Sequence, residues 1–176
     1  MRTFIALELP TRFADDTSAL AHRLEAVVKG RFLPREARHL TLAFLGEVPE
    51  ADVPAAAEAL EAACKGSPRI PLRTAGLGTF GHESDTTLWL GIDRSSELER
   101  LAARVRQELA ARGLSFDGKP FKPHVTLARR ACVPRRSLPP LPFPLADQAE
   151  TATLFKSALR SDGAVYEPLS SVRLGG

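Results

Sequence analysis

Two five-residue stretches carry the side chains best suited to chemistry, and they are nearly the same stretch: His39-Leu40-Thr41-Leu42-Ala43 and His124-Val125-Thr126-Leu127-Ala128. In a β-strand alternate side chains share a face, so His39, Thr41 and Ala43 face one way while Leu40, Leu42 and Phe44 face the other. The second copy divides likewise, with His124, Thr126 and Ala128 opposite Val125 and Leu127. One face of each strand is apolar enough to bury. The other offers an imidazole, a hydroxyl and a small residue that leaves room beside them. Two such half-sites facing each other would supply two groups that titrate near neutrality and two hydroxyl donors, which suits a phosphodiester. One imidazole would take a proton from the attacking oxygen and the other would give one to the leaving oxygen, each contributing typically ~10²–10⁴-fold. The threonines would donate to the phosphoryl oxygens where negative charge gathers. A lone His-x-Thr carries little information; two with matching Leu and Ala at the same offsets carry much more. Neither His has an Asp or Glu beside it in its strand, and no His-x-x-x-His pattern occurs, so the expected mechanism uses no metal and no cofactor.

The elements that would position these strands also repeat. Residues 3–9 read as a strand stopped by Pro10. A helix follows over residues 12–29, with Leu20, Leu24, Val27 and Val28 on one stripe and Gly30 as its C-terminal cap. The first His strand then runs until Gly46 and Pro49. Residues 86–92 form a second lead strand, and Ser96-Glu97-Leu98-Glu99 is a capping box opening a helix that ends at Gly113. The turn-rich loop at 116–123 delivers His124. Between the repeats lie a helix at 52–65, with Asp52 as N-cap, a strand at 70–77, and a Gly-rich stretch at 76–81. That stretch lacks the Lys-Ser/Thr ending of a phosphate loop and is expected to be a turn. The five prolines of residues 134–144 make an extended connector. Residues 151–159, 165–169 and 172–174 are closing strands, with Asp162-Gly163 as a hairpin turn. His22 falls on the solvent side of its helix, and His82 in a loop beside Glu83. The pattern predicts an α+β fold: one domain over 1–176, with two pseudo-symmetric lobes of mainly antiparallel sheet, helices outside and a central cleft. The duplicated halves run roughly 1–85 and 86–176.

At 176 residues, 44% hydrophobic and 26% charged, the composition is that of one globular domain. The opening apolar run is short and contains Glu8, and no stretch approaches the length of a membrane span. A soluble, cytoplasmic monomer with no obligate protein partner is expected. Cys64 and Cys132 have no ligand-like spacing. The formal charge is +3, and only five of the 24 basic residues are lysines; an arginine bias is compatible with a polyanionic substrate.

Taken together, these residues resemble the two-histidine phosphoesterase superfamily with its HxTx motifs, and within it the RNA 2′,3′-cyclic phosphodiesterases, also called 2′-5′ RNA ligases. The likeness extends to Arg2-Thr3-Phe4-Ile5-Ala6, Phe44-Leu45-Gly46-Glu47-Val48, Leu88-Trp89-Leu90-Gly91 and Phe121-Lys122-Pro123. It implies a bilobal fold and an RNA or nucleotide substrate ending in a 2′,3′-cyclic phosphate, hydrolysed to a 2′-phosphate. His39 would be the proton donor to the leaving oxygen and His124 the proton acceptor that activates water. Thr41 and Thr126 would hold the phosphate, and the family's arginine matches Arg129. Strand parity alone favours Arg130, unless a bulge intervenes. Phe44 matches a position where an aromatic ring can stack on a substrate base, whereas parity buries it. Phe32 stands where relatives often have Trp, and Tyr166 has at most a supporting role. The alternatives are an RNA ligase joining the same end to a 5′-hydroxyl, and a non-catalytic nucleotide- or RNA-binding module.

Overall fold

A computed structural model describes residues 1–82, 85–134 and 137–176; Glu83 and residues 135–136 of the connector lie outside the described residues. The elements run β1 (Arg2–Glu8), α1 (Thr11–Glu25), β2 (Lys29–Phe32), β3 (His39–Glu47), α2 (Val53–Cys64), β4 (Ile70–Leu72), β5 (Thr74–His82), β6 (Asp85–Ile92), α3 (Ser96–Ala111), β7 (His124–Cys132), β8 (Asp147–Ala149), β9 (Thr151–Arg160) and β10 (Gly163–Arg173). Seven strands follow the order β10-β9-β1-β3-β7-β6-β5, β2 pairs with β7, and β4 and β8 pair apart from them. Every pairing is antiparallel. The fold is therefore α+β with a mainly antiparallel sheet.

The order is a palindrome about the seam between β3 and β7. Each His strand is flanked by the lead strand of its own repeat, β1 or β6, and that strand by one more, β9 or β5. Strands from both ends of the chain meet: β1 lies between β3 and β9, and β10 continues the sheet beyond β9.

The helices form where their apolar stripes can be buried. Phe13, Leu20 and Leu24 of α1, Leu60 of α2 and Leu98, Leu101, Val105 and Leu109 of α3 join Ile5, Leu7, Leu40, Leu42, Leu88, Leu90, Val125 and Leu127 of the strands in one core. Burying each such Leu, Ile, Val or Phe is worth about 1.5–3 kcal/mol. The helices thereby cover one face of the sheet and leave the other open for a site. No helix among the described residues is long and apolar enough to cross a membrane.

Several local expectations shift. The first helix ends at Glu25, and Gly30 lies in β2, where a Cβ would come within 2.9 Å of the Ala131 Cα. The close passage of two backbones, and not a helix cap, is what this glycine permits. The helix cap of α3 is Ser95, whose extended backbone lets its side chain accept from the Leu98 N–H at 3.1 Å; Ser96 is already helical. The strand expected at 70–77 breaks at Arg73, whose carbonyl accepts from the Asp93 N–H. The Gly-rich stretch is not a turn but most of β5. The last two strands, expected separately, are one irregular strand, β10, and the hairpin turn is Ser161-Asp162, followed by Gly163 at φ +128°.

Candidate active site

At the seam Leu40 lies opposite Val125, and both are fully buried on the core side. In an antiparallel pair this register puts His39 across from Thr126 and Thr41 across from His124, all four on the face away from the core. Each imidazole thus stands beside the other strand's hydroxyl. The two His occupy a diagonal whose Cβ separation is roughly 7–8 Å, room for one phosphoryl group between the rings. None of the four is buried: Thr41 is exposed and the other three are half-buried.

The register of each His strand then slips by one residue at the same place. Ala6 pairs with Thr41 but Ile5 with Ala43, leaving Leu42 extra; Trp89 pairs with Thr126 but Leu88 with Ala128, leaving Leu127 extra. Both leucines are buried, as are Ala43 and Ala128 after them. A bulge of this kind resets the alternation, so the fifth residue after each His returns to the open face. In β3 that residue is Phe44, opposite Phe4. In β7 it is Arg129, opposite Arg31. Parity from an unbroken strand pointed to Arg130 and to a buried Phe44; the bulge overturns both. Arg130 takes up the distortion itself, in the left-handed region at φ +49°.

Aromatic rings wall both imidazoles. His39 has Phe155, Tyr166 and Phe4 at centroid distances of 4.5, 5.7 and 6.2 Å. His124 has Phe80 at 5.2 Å and Trp89 at 5.8 Å. Trp89 can lie flat across β5 only because residue 78 is glycine, where a Cβ would sit 2.2 Å from the indole. Sequence reasoning missed Phe155, Phe80 and Trp89 as site walls, and Arg31. The pairing of distant strands that brings them in leaves no local mark. Phe32 lies opposite Ala128 and packs on the core, outside the site. His22 and His82 are exposed, and neither meets the pair.

Beside the seam opens a cleft of about 630 Å³, lined by Thr41, Phe44, Phe80, Lys122 and His124 among others. Its floor loop is tied down: the Asp117 N–H donates to the Phe44 carbonyl at 2.8 Å and Arg106 Nη1 to the Lys119 carbonyl at 2.9 Å.

The two imidazoles differ in their electrostatic surroundings. His124 Nδ1 lies 2.6 Å from the Lys122 carbonyl, so Nδ1 carries the hydrogen and Nε2 is the free lone pair. Burial holds its proton affinity below the usual imidazole range; the Lys122 carbonyl opposes this, and the charges of Lys122 and Arg129 reinforce it. The Lys122 ammonium is stationed over Trp89 and Phe80, 4.8 and 5.3 Å from their centroids. His39 is also lowered by burial, but its ionic neighbour is the carboxylate of Glu8, which pulls the other way, as does the Ala37 carbonyl. No well-aligned hydrogen bond meets its buried Nδ1 among the described residues. Burial thus lowers both rings, and they differ in the sign of the charge beside them, a carboxylate at His39 and two cations at His124; acid-base catalysis needs two groups with this kind of unequal surroundings. Among the described residues no three His, Cys, Asp or Glu side chains gather as metal ligands.

The chain is similar to known proteins over its length. The 2′-5′ RNA ligase superfamily profile matches residues 10–153. The RNA 2′,3′-cyclic phosphodiesterase of Thermotoga maritima is 31% identical over all of this chain and 97% of its own, and that of Escherichia coli 30% identical over 96% and 93%. Among solved structures, TT0787 of Thermus thermophilus superposes with a TM-score of 0.85 at 30% identity, covering 100% of this chain and 99% of its own. Escherichia coli LigT complexed with 3′-AMP gives 0.80 at 28% identity, covering 99% and 98%.

Proposed function

Since the chain belongs to the 2′-5′ RNA ligase superfamily, we propose that it hydrolyses RNA 2′,3′-cyclic phosphate ends to 2′-phosphomonoesters, with His39 as acid and His124 as base. The observation that carries the reading is the diagonal pairing of the two imidazoles across the Leu40–Val125 rung, with opposite charges beside them. His124 Nε2 removes a proton from water as its oxygen forms a bond to phosphorus. The bond from phosphorus to the 3′ oxygen breaks, and His39 supplies the proton that leaves a free 3′-hydroxyl. Thr41, Thr126 and Arg129 hold the non-bridging oxygens, where charge accumulates in the transition state. The terminal base enters the cleft against Phe44. Strain in the five-membered cyclic phosphate makes this diester reactive enough for two imidazoles to suffice.

Product analysis on an oligonucleotide ending in a 2′,3′-cyclic phosphate tests the reading. The phosphate should stay on the 2′ oxygen, and His39→Ala and His124→Ala should each lose ~10²–10⁴-fold in kcat without loss of fold. Chelator should change nothing; activity lost with EDTA and restored by a divalent ion would replace the two-imidazole mechanism by a metal-assisted one. Dominant joining to a 5′-hydroxyl end would make the ligase reading the right one, and binding without turnover the module reading. The enzyme's place in the cytoplasm, and its action as a monomer, belong to the same proposal.

A further inference from the structure

The family pattern accounts for two imidazoles, two hydroxyls and one guanidinium. It leaves out a carboxylate on the same face. Glu8, the last residue of β1, lies directly opposite His39 in the β1–β3 register. Directly opposed side chains have Cβ atoms about 4.5–5.5 Å apart. The Thr153 hydroxyl donates to Glu8 Oε2 at 2.6 Å, the short length of a hydrogen bond to an ionised acceptor. Thr153 is fully buried and has one proton to give. Its contact with the Ser171 hydroxyl at 2.8 Å must then be donated by Ser171. The chain Ser171 to Thr153 to Glu8 thus crosses β10, β9 and β1 and ends beside His39.

The rest of the His39 environment carries no competing charge among the described residues. Phe4 of β1 and Phe155 of β9 are neutral, and Tyr166 of β10 offers a phenol. The neighbouring Arg38 turns the other way, its guanidinium donating to Thr17, Ser18 and the Leu33 carbonyl. Across the seam β7 presents Thr126, and its cationic neighbours, Lys122 and Arg129, act on His124.

We propose that Glu8, clamped by Thr153 and Ser171, is the positioning residue that keeps the proton on His39 and so decides which of two pseudo-equivalent histidines is the acid. This rests on the hydrolase reading above. Without the carboxylate, burial alone would favour a neutral His39, and both rings would compete for the role of base.

The test compares wild type with Glu8→Gln, Glu8→Asp and Thr153→Val in the full chain. Gln still accepts from Thr153, so the clamp and the fold persist while the charge is lost. The alkaline limb of the kcat profile, where the acid loses its proton, should move to lower pH in Glu8→Gln. Within the wild-type plateau kcat should fall about tenfold with KM nearly unchanged, a smaller loss than removing the acid itself. Asp should restore most of the rate, and Thr153→Val should shift the limb part of the way. NMR titration of the imidazoles, with His39 assigned by its absence in His39→Gln, should show His39 titrating lower in Glu8→Gln and His124 unmoved. Superimposable profiles and an unmoved His39 titration would overturn the proposal, as would a shift at His124 alone. Failure of the wild-type protein to cleave a 2′,3′-cyclic phosphate would instead remove the hydrolase reading, while the NMR titration would still decide whether Glu8 governs the His39 proton.

Discussion

Lys122 shows how one side chain can serve a neighbour from two directions. Its carbonyl fixes the His124 tautomer, and its ammonium, parked on the faces of Trp89 and Phe80, disfavours a second proton on that ring. The backbone role survives substitution and the charge does not. In Lys122→Met the burial and the carbonyl contact remain, so His124 should gain proton affinity. Because the base must be neutral to act, the acidic limb of the pH–rate profile should move to higher pH and activity at low pH should fall, with the alkaline limb in place. An acidic limb that stays put would show that Lys122 contributes only its carbonyl. The limbs of such a profile belong to the coupled pair, so the imidazole resonances provide the site assignment.

The strands carry their own requirements. Gly78→Ala would place a methyl group inside the Trp89 indole. Overpacking of this kind costs about 1–3 kcal/mol; a urea titration should show that loss, and kcat should fall with it because Trp89 packs on His124. An unchanged midpoint would mean that the indole has another place to lie. The same glycine shows where sequence reading succeeds and where it stops. His-x-Thr in duplicate was legible because strand alternation is local, and it located His39, Thr41, His124 and Thr126 on one face. The bulges at Leu42 and Leu127 were not, because a bulge is set by what the partner strand offers, and β1 and β6 lie far away in the chain. Parity therefore misplaced Phe44 and Arg130. Glycines at 76, 78 and 81 have the composition of a turn. Gly78 is there for close approach inside a strand, a need visible only once Trp89 is laid across it.

For the molecule as a whole, both site imidazoles are partly buried with proton affinities below the usual value near 6.5. Their folded-state values are depressed, so between those values and about 6.5 the unfolded chain binds more protons than the folded one. Stability therefore rises with pH through this window, falls as pH drops through it, and levels off below the folded-state values. Urea midpoints measured down from neutrality should decline, and the decline should be shallower in a His39→Gln, His124→Gln double variant. Equal slopes would mean that the two rings are as solvated when folded as when unfolded. The repeat of strand, helix and His strand led to the expectation that the two His strands lie side by side, and β3 and β7 are neighbours in the sheet. The addition of the β9–β10 hairpin to the outer edge of β1 was not anticipated, since nothing in residues 151–173 names the strand they will join.

β3 and β7 share a single rung, Leu40 against Val125, while every other strand of the main sheet is zipped to a neighbour over several residues. With so little backbone zipped at the seam, the common core beneath it and the β2–β7 pairing hold the two His strands side by side. A phosphate gripped from both strands would supply, on the open face, the rung that the sheet leaves out.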